Sequence, residues 1–425
     1  MDAVEISRLQ FAVTGSVHYL FVTLSLGLVL FVVAFQTLWT FRKDPVHERL
    51  TKFWGRLYVV NYGAGIIGGL VMEFQFGLNW AGLAHVTGNV LGGPIAIETL
   101  VAFFIEATFL GMWIFGWGRI PRLLHLGLIW VVAITAYVSA YWILAANAFL
   151  QHPVGHEIRD GVAFLTDFGA LMRNPNLLDA VQHVVSAAVV TGALFVAGVS
   201  AWQLLRRTPD VIEFRRSLRF AVVALPIGVY PAIHFGFLQE VVIEQSQPGK
   251  LAAMYADPER TLRVQQELAA RFGPGDWLPP DWVSVPYQIM MQTTFGLALL
   301  SIVLLVLLIR NWVVRLRVPL YLLVALIPVP FVLVICGWLV REVGRQPWAV
   351  YGVLSTEDAA SPLSTGAAAA SFTGFAVVLG GLVLLNIVLL GRFARRGIED
   401  DALGMPLGAT LGSSTSDDDS VLVGR

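Results

Sequence analysis

The sequence predicts an all-α integral membrane protein with about nine transmembrane helices packed in bundles. Of its 425 residues, 56% are hydrophobic and only 13% are charged, and the mean hydropathy is +0.71. A water-soluble core cannot bury that much apolar surface, so many of these side chains must face lipid. The net charge of −1 gives no case for nucleic-acid binding. The one cysteine, Cys336, excludes a disulfide framework or a thiolate metal cluster.

Nine apolar runs are long enough to cross about 30 Å of hydrocarbon. Met1 to Arg8 leads into the first run without the basic region and cleavage site of a signal peptide, so we expect this helix to remain in the mature protein. The runs cover residues 11–38, 54–76, 94–116, 124–149, 181–204, 218–240, 285–309, 318–340 and 371–391.

The charges between the runs predict the orientation of the chain. Arginine and lysine cluster after the first, third, fifth, seventh and ninth runs, whereas the other connections are mixed in charge. The positive-inside rule then places the N-terminus outside and the C-terminus in the cytoplasm. Residues 1–395 form one transmembrane domain in this interpretation. Its external loop, 241–284, contains one short helix near Pro258–Phe272. Residues 396–425 are expected to form a cytoplasmic, disordered tail, because their end is rich in Gly, Ser and Asp.

The most informative segment follows the eighth run and places Glu342 between Arg341 and Arg345 at the membrane edge. Trp338 precedes this carboxylate by one helical turn, and Trp348 follows it. Ionisable groups at membrane depth usually mark a functional site. Tryptophan and arginine also anchor helix ends at the headgroups, so the residues alone leave both interpretations open.

Five further side chains inside apolar runs require a partner or a ligand. His18 must pair, face a cavity or bind a metal, because an isolated polar ring in lipid is costly. Glu98 and Glu106, about 12 Å apart along one helix and turned by about 80°, suit a proton relay, metal ligation or structural hydrogen bonds. His183 and Met290 would form a six-coordinate haem site if they met, although methionine more often packs in a core.

The words GWLVREVGRQPW, from Gly337 to Trp348, resemble the signature of subunit I of the cytochrome bd quinol oxidases. The resemblance implies nine helices and three haems near the outer face: a low-spin haem b, a high-spin haem b, and haem d or a third haem b. It extends over almost the whole chain, through Ser7–Phe11, His18–Leu28, Met72–Trp80, Pro94–Glu106, Trp142–Asn147 and His183–Leu194.

The resemblance also implies a reaction and its setting. Quinol is oxidised at the outer face of a prokaryotic plasma membrane, and O2 is reduced by four electrons to water. The subunit works with a second membrane subunit, subunit II, with or without a small single-helix subunit.

By the same resemblance, His183 and Met290 are the axial ligands of the low-spin haem, with Met291 as the adjacent alternative. His18 and Glu342 bind the irons of the two other haems, and either site could hold haem d.

Other residues take supporting roles by resemblance. Glu98 and Glu106 conduct protons beside the di-haem site, and Ser139 extends their path. Trp338 bridges the low-spin haem and the haem pair for electrons. Arg8 and Arg345 are expected to pair with haem propionates, because guanidinium geometry suits carboxylates.

One position departs from the family pattern in the external loop. A lysine there is followed five residues later by a glutamate, and both are tied to quinol oxidation; this chain has Lys250 but Tyr255. A tyrosine with a pKa near 10 is a poor base at neutral pH. Glu244, Asp257 or Glu259 could replace the missing carboxylate.

Two alternative functions remain open from the sequence. The first is a bd-like haem subunit with an altered or non-quinol electron donor. The second is a proton-coupled transporter, which could also use buried carboxylates and histidines. Against the transporter, the two halves of the chain show no pair of inverted, Gly- or Pro-broken segments.

Overall fold

A computed structural model describes residues 1–398 and 403 of the chain. Within these residues, nine helices are long and apolar enough to cross a membrane, which confirms the predicted count. The helices are α1 (Ala3–Arg42), α2 (Pro45–Asn79), α3 (Ala81–Ile97), α4 (Phe104–Phe115), α5 (Arg122–Gln151), α6 (Phe168–Met172), α7 (Pro175–Leu205), α8 (Val211–Ser246), α9 (Pro248–Tyr255), α10 (Pro258–Phe272), α11 (Ser284–Ile309), α12 (Trp312–Arg315), α13 (Arg317–Ala325), α14 (Val329–Val343), α15 (Thr356–Ala359) and α16 (Thr365–Arg396).

Helix α1 lies at the centre of the bundle and packs against α2, α5, α7, α14 and α16. Helices α7 and α8 form the most extensive helix pair. Because so many helices pack against α1, several of its polar residues lie inside the protein, among them Gln10, Thr14 and Gln36.

Two predicted runs differ in detail from the observed helices. The third span begins at Ala81, and a π-helical segment, Glu98–Phe103, joins α3 to α4. The wider π turn changes the angle between Glu98 and Glu106, so the 80° expected for a regular helix does not hold. The eighth span is broken between α13 and α14, where Pro328 and Pro330 remove backbone donors.

The external loop also differs from the sequence prediction. Helix α8 continues to Ser246, so the loop begins at Gln247 rather than at residue 241. It contains the predicted helix at Pro258–Phe272 and a second one, α9, that was not predicted. The predicted tail lies outside the described residues, apart from residues 396–398 and 403.

Two short hairpins lie at the same end of the bundle as this loop. Strand β1 (His156–Arg159) pairs antiparallel with β2 (Val162–Leu165), and β3 (Trp348–Val350) pairs with β4 (Leu354–Ser355). Asp160 and Gly161 both have positive φ, the backbone that a two-residue Asp-Gly hairpin turn requires.

The opposite end of the bundle carries paired charges between α2 and α8. Arg49 is paired with Glu213, and Arg216 with Asp44. The chain therefore separates a basic, ion-paired end from the end that carries Glu342 and the hairpins.

Candidate functional site

A cleft between α1, α2, α3 and α14 contains the signature segment. Two arginines, Arg8 and Arg345, line it together with Glu342 and Trp338. Its remaining lining is largely apolar, including Phe11 and Leu339. The cleft thus combines a largely apolar lining with the charged side chains of Arg8, Arg345 and Glu342.

Glu342 is the centre of a buried polar network. It is 5% exposed, and one of its oxygens accepts a hydrogen bond from Asn147 Nδ2 at 2.8 Å, with Gln151 Nε2 at 3.4 Å. The other oxygen accepts from Arg345 Nη2 at 2.7 Å. A carboxylate offers about four lone-pair sites, so these three donors leave one site for a further ligand.

Arg341 does not form the second half of a clamp on Glu342, as the spacing suggested. Its Nε donates to Asn147 Oδ1 at 2.6 Å, and its Nη1 donates to Gln239 at 3.3 Å. Arg341 therefore orients Asn147, which in turn donates to Glu342. The sequence missed Gln151, although an amide one turn after Asn147 on the same helix is a recognisable signal.

Lys250 belongs to this network instead of lying in solvent. It is 4% exposed, and its Nζ donates to Gln151 Oε1 at 3.0 Å and to the Arg341 carbonyl at 2.8 Å. Burial lowers the pKa of Lys250 well below its ordinary value. Arg341 lowers this pKa further, and Glu342 acts in the opposite direction. Lys250 is therefore linked through Gln151 to the carboxylate of Glu342.

Trp338 packs against α1 beside Gly15. Its ring centroid is 5.9 Å from that of Phe11 and 5.9 Å from that of Tyr19. A Cβ at Gly15 would lie 2.6 Å from Trp338 Cε2, so only glycine lets the indole approach this closely. The indole Nε1 is buried without a hydrogen-bond partner.

His183 lies against α8, whereas Met290 lies against α14. A Cβ at Gly236 of α8 would be 3.4 Å from His183 Cε1. The Met290 sulfur lies 3.4 Å from where a Cβ of Gly337 would stand. His183 Nδ1 lies 2.8 Å from the Ala232 carbonyl, so Nδ1 carries the proton and Nε2 keeps its lone pair. This is the tautomer that an axial haem ligand needs.

His18 packs on the glycine-rich face of α2. A Cβ at Gly68 would lie 3.3 Å from His18 Nδ1, and a Cβ at Gly69 would lie 3.2 Å from Cε1. Nδ1 is buried and faces the backbone of Gly65 outside good hydrogen-bond geometry. Because Nδ1 faces the protein backbone, Nε2 is the ring nitrogen that would bind a ligand.

The membrane carboxylates each have hydroxyl partners. Ser139 Oγ donates to Glu98 at 2.6 Å, so the structure brings together two residues that sequence alone could only suggest as neighbours. Thr99 lies between Glu98, at 3.1 Å, and Glu73, at 3.4 Å. Glu106 is buried and accepts a hydrogen bond of 3.4 Å from Tyr58. The Thr99 hydroxyl thus bridges Glu98 and Glu73, and carboxylates bridged by a hydroxyl are suited to proton transfer.

The external acids proposed to replace the missing glutamate are engaged elsewhere or lack a link to Tyr255. Glu244 pairs with Arg260 at 2.7 Å, and Asp257 caps α10. The Tyr255 hydroxyl donates instead to Glu240 at 2.7 Å. The sequence did not single out Glu240, because its position near the end of an apolar run resembles an ordinary helix end.

These residues fit haem groups by several observations. The described residues contain no cluster of three or more His, Cys, Asp or Glu side chains that could hold a bare metal ion. Arg345 Nε and Nη1 are buried without partners, and Arg8 shares their cleft. Unpaired guanidinium donors beside an apolar wall suit the propionates of a porphyrin.

Known proteins of one family match this chain over nearly its whole length. The family model described as cytochrome bd terminal oxidase subunit I matches residues 6–271 and 263–398. The chain is 35% identical to cytochrome bd ubiquinol oxidase subunit 1 of Bacillus subtilis, with 94% of this chain and 95% of that protein covered. It is 28% identical to cytochrome bd-II ubiquinol oxidase subunit 1 of Escherichia coli, with 93% and 97% covered.

A solved structure supports the same relationship. The bd oxidase from Geobacillus thermodenitrificans superimposes with a TM-score of 0.84 and 26% identity. The superposition covers 93% of this chain and 99% of that one.

Proposed function

This chain belongs to the cytochrome bd terminal oxidase subunit I family, and from that premise we propose how its residues serve a quinol:oxygen oxidoreductase. The protein is an integral membrane subunit of a respiratory terminal oxidase that takes electrons from quinol. The match over nearly the whole chain favours this function over a proton-coupled transporter and over an oxidase with a non-quinol donor.

We assign the haem ligands residue by residue. His183 and Met290 hold a low-spin haem b, and His18 and Glu342 hold the irons of a high-spin haem b and a haem d, or of a third haem b. Arg8 and Arg345 pair with propionates. The observation that carries this assignment is Glu342, a buried carboxylate with three donors and one open lone-pair site. Bound haem supplies one-electron chemistry and oxygen binding.

The chain's own residues position the reactants. Trp338, fixed against Gly15, lies between the Met290 side of α14 and the cleft of Glu342, which suits an electron bridge. Ser139, Glu98 and Glu106 deliver protons to the oxygen site. Lys250 holds the end of α14 through the Arg341 carbonyl, next to the proposed quinol-binding loop.

The orientation in the membrane is inferred from the distribution of charges, and the location and partner subunit are inferred from the family. We place the N-terminus and the Glu342 end outside a prokaryotic plasma membrane, and the paired basic end in the cytoplasm, by the positive-inside rule. A second membrane subunit, subunit II, completes the oxidase, with or without a single-helix subunit.

Spectra and turnover of the purified complex test this function. We expect haem bands in the reduced-minus-oxidised spectrum, three haems on pigment extraction, and oxygen uptake driven by quinol. His183→Ala should remove the low-spin haem bands, whereas His234→Ala, an exposed histidine on the next helix, should leave them unchanged. A colourless complex, made with ample haem and its companion subunit, would refute the proposal.

A further inference from the structure

Glu240 lies in the last turns of α8 and is held by two tyrosines from different helices. Tyr255 of α9 donates to one carboxylate oxygen at 2.7 Å, and Tyr287 of α11 donates to the other at 2.6 Å. The two phenol oxygens are themselves 3.0 Å apart. We call Glu240, Tyr255 and Tyr287 the carboxylate triad.

The triad can take up one proton without moving its heavy atoms. When Glu240 is ionised, each phenol spends its single O–H on a different carboxylate oxygen. When Glu240 is protonated, it donates to Tyr255, Tyr255 donates to Tyr287, and Tyr287 donates to the free carboxylate oxygen. Each of the three hydrogens then has an acceptor in a closed ring.

Within this ring, only the carboxylate can act as a base near neutral pH. Burial raises the pKa of Tyr255, and its hydrogen bond to Glu240 acts in the same direction. Tyr255 therefore remains a neutral donor. Tyr287 is 2% exposed, whereas Tyr255 is 47% exposed and reaches the loop surface. The ring thus runs from the buried hydroxyl of Tyr287, through the half-buried Glu240, to Tyr255 at the surface.

The position of the triad links it to the electron-accepting residues. Tyr287 precedes Met290 by three residues on α11, so the two side chains share one helix face. Gln239, next to Glu240, accepts a hydrogen bond from Arg341. Tyr255 shares the short helix α9 with Lys250. Tyr287, which donates to Glu240, and Met290, a proposed haem ligand, are therefore about one helical turn apart along α11.

Exposed apolar side chains flank the triad on both helices. On α8 these are Leu238 and Val241, and on α11 they are Val285 and Ile289. A hydroquinone has an apolar ring and tail and two hydroxyl groups, so it needs an apolar approach that ends at a proton acceptor. The triad and its surroundings offer both.

We propose that Glu240 is the catalytic base for quinol oxidation in this chain, an inference that rests on the function proposed above. A quinol O–H bond breaks at Glu240, and its proton passes through Tyr255 to external water. The two electrons would be taken up one at a time by the haem that His183 and Met290 would hold, with O2 as the final oxidant. The hydroquinone becomes the quinone after its second hydroxyl has lost its proton by the same route.

This assignment explains the departure at Tyr255. A tyrosine there does not act as the base itself; it donates to a carboxylate fifteen residues earlier and carries the proton outward. Tyr255 and Tyr287 are positioning residues in this scheme, and Glu240 touches the substrate.

Glu240→Gln in the complete oxidase is the decisive variant. We expect the kcat for quinol oxidation to fall about a hundredfold, because general base catalysis typically contributes 10²–10⁴-fold. Oxygen uptake driven by a one-electron donor that carries no proton, such as tetramethylphenylenediamine with ascorbate, should stay at the wild-type rate. The Kd of the quinol dimethyl ether, which has no hydroxyl proton to give, should change by less than about threefold.

The matched control is Glu244→Gln, one turn further along α8. This carboxylate pairs with Arg260 and contacts neither tyrosine of the triad, so quinol turnover should be unchanged. Tyr255→Phe removes one donor while keeping the ring, and we expect kcat to fall about three- to tenfold with little change in KM. Glu240→Asp should restore part of the activity lost in Glu240→Gln.

Each outcome decides the proposal. Normal quinol turnover in Glu240→Gln, or an equal loss with both electron donors while haem content is normal, overturns it. Loss in Glu244→Gln instead would assign the base to that residue. If Glu240→Gln does not assemble, unchanged kcat in Tyr255→Phe and Glu240→Asp overturns the role of the triad. A wild-type complex without haem or quinol-driven uptake would instead refute the proposed function itself.

Discussion

Replacing Lys250 with methionine should stabilise the protein while it removes quinol-driven activity. Lys250 loses two hydrogen bonds in this change, to Gln151 Oε1 at 3.0 Å and to the Arg341 carbonyl at 2.8 Å. Each such bond contributes about 0.5–1.5 kcal/mol net, so the loss is about 1–3 kcal/mol.

Neither acceptor is left without a donor in the variant. Gln151 Oε1 still lies 3.1 Å from Gln247 Nε2, and the Arg341 carbonyl still lies 3.2 Å from Gln151 Nε2. The variant also avoids the desolvation of a buried ammonium ion, which costs the wild-type protein several kcal/mol. We therefore expect Lys250→Met to raise the free energy of unfolding at neutral pH by about 1 kcal/mol or more.

The stability advantage of Lys250→Met over wild type should decrease as the pH rises. Because burial lowers the pKa of Lys250 in the folded state, the unfolded chain binds this proton more tightly. Wild-type stability therefore rises with pH between the lowered folded-state pKa and the ordinary value of 10.5. The slope reaches at most about 1.4 kcal/mol per pH unit. The variant lacks this rise, so its advantage is greatest at low pH and disappears toward 10.5.

Unfolding of the purified complex in mixed micelles, titrated with a denaturing detergent from about pH 6 to about pH 10, measures this difference. Lys52→Met is the control. It removes a rim ion pair with Glu48, worth about 0–1 kcal/mol, and a cation–π contact with Trp117, worth about 0.5–1 kcal/mol, so a small loss of stability is expected. The reasoning is wrong if Lys250→Met lowers stability by more than about 2 kcal/mol with the same pH slope as wild type. Such a result would mean that the amine is charged and well compensated in the folded state.

Three further substitutions test the site. His183→Ala should abolish low-spin haem bands while CO still binds at the di-haem site; an unchanged low-spin spectrum would rule out His183 as the ligand. Ser139→Ala removes the 2.6 Å bond to Glu98 and should slow oxygen reduction about tenfold with all haems retained, and an unchanged rate would show that this hydroxyl is outside the proton path. Gly15→Ala should displace Trp338 and slow electron transfer to the haem pair, measured by flow-flash spectroscopy, with wild-type kinetics arguing against the bridge.

The sequence determined the nine spans because the bilayer imposes a local rule. A backbone in hydrocarbon must satisfy its own hydrogen bonds within a helix. Each spanning helix can therefore be recognised in the sequence as an apolar run of sufficient length. The signature from Gly337 to Trp348 likewise singled out Glu342 and Arg345, which are only three residues apart and form an ion pair at the end of α14. The helix at Pro258–Phe272 could also be predicted from the local sequence, from its prolines and its polarity.

Partners that are distant along the chain required the tertiary structure. Asn147 and Gln151 reach Glu342 from almost two hundred residues away, and Tyr287 reaches Glu240 from forty-seven. The resemblance gave Lys250 a role in quinol oxidation, but only the tertiary structure shows that its amine is buried against the end of α14.

Composition and periodicity fix which segments cross the membrane, because transfer into lipid depends on each segment alone. They leave open which polar groups meet, since that depends on how helices far apart in sequence pack together. It is this packing that buries Lys250 and places Glu240 beside Tyr255.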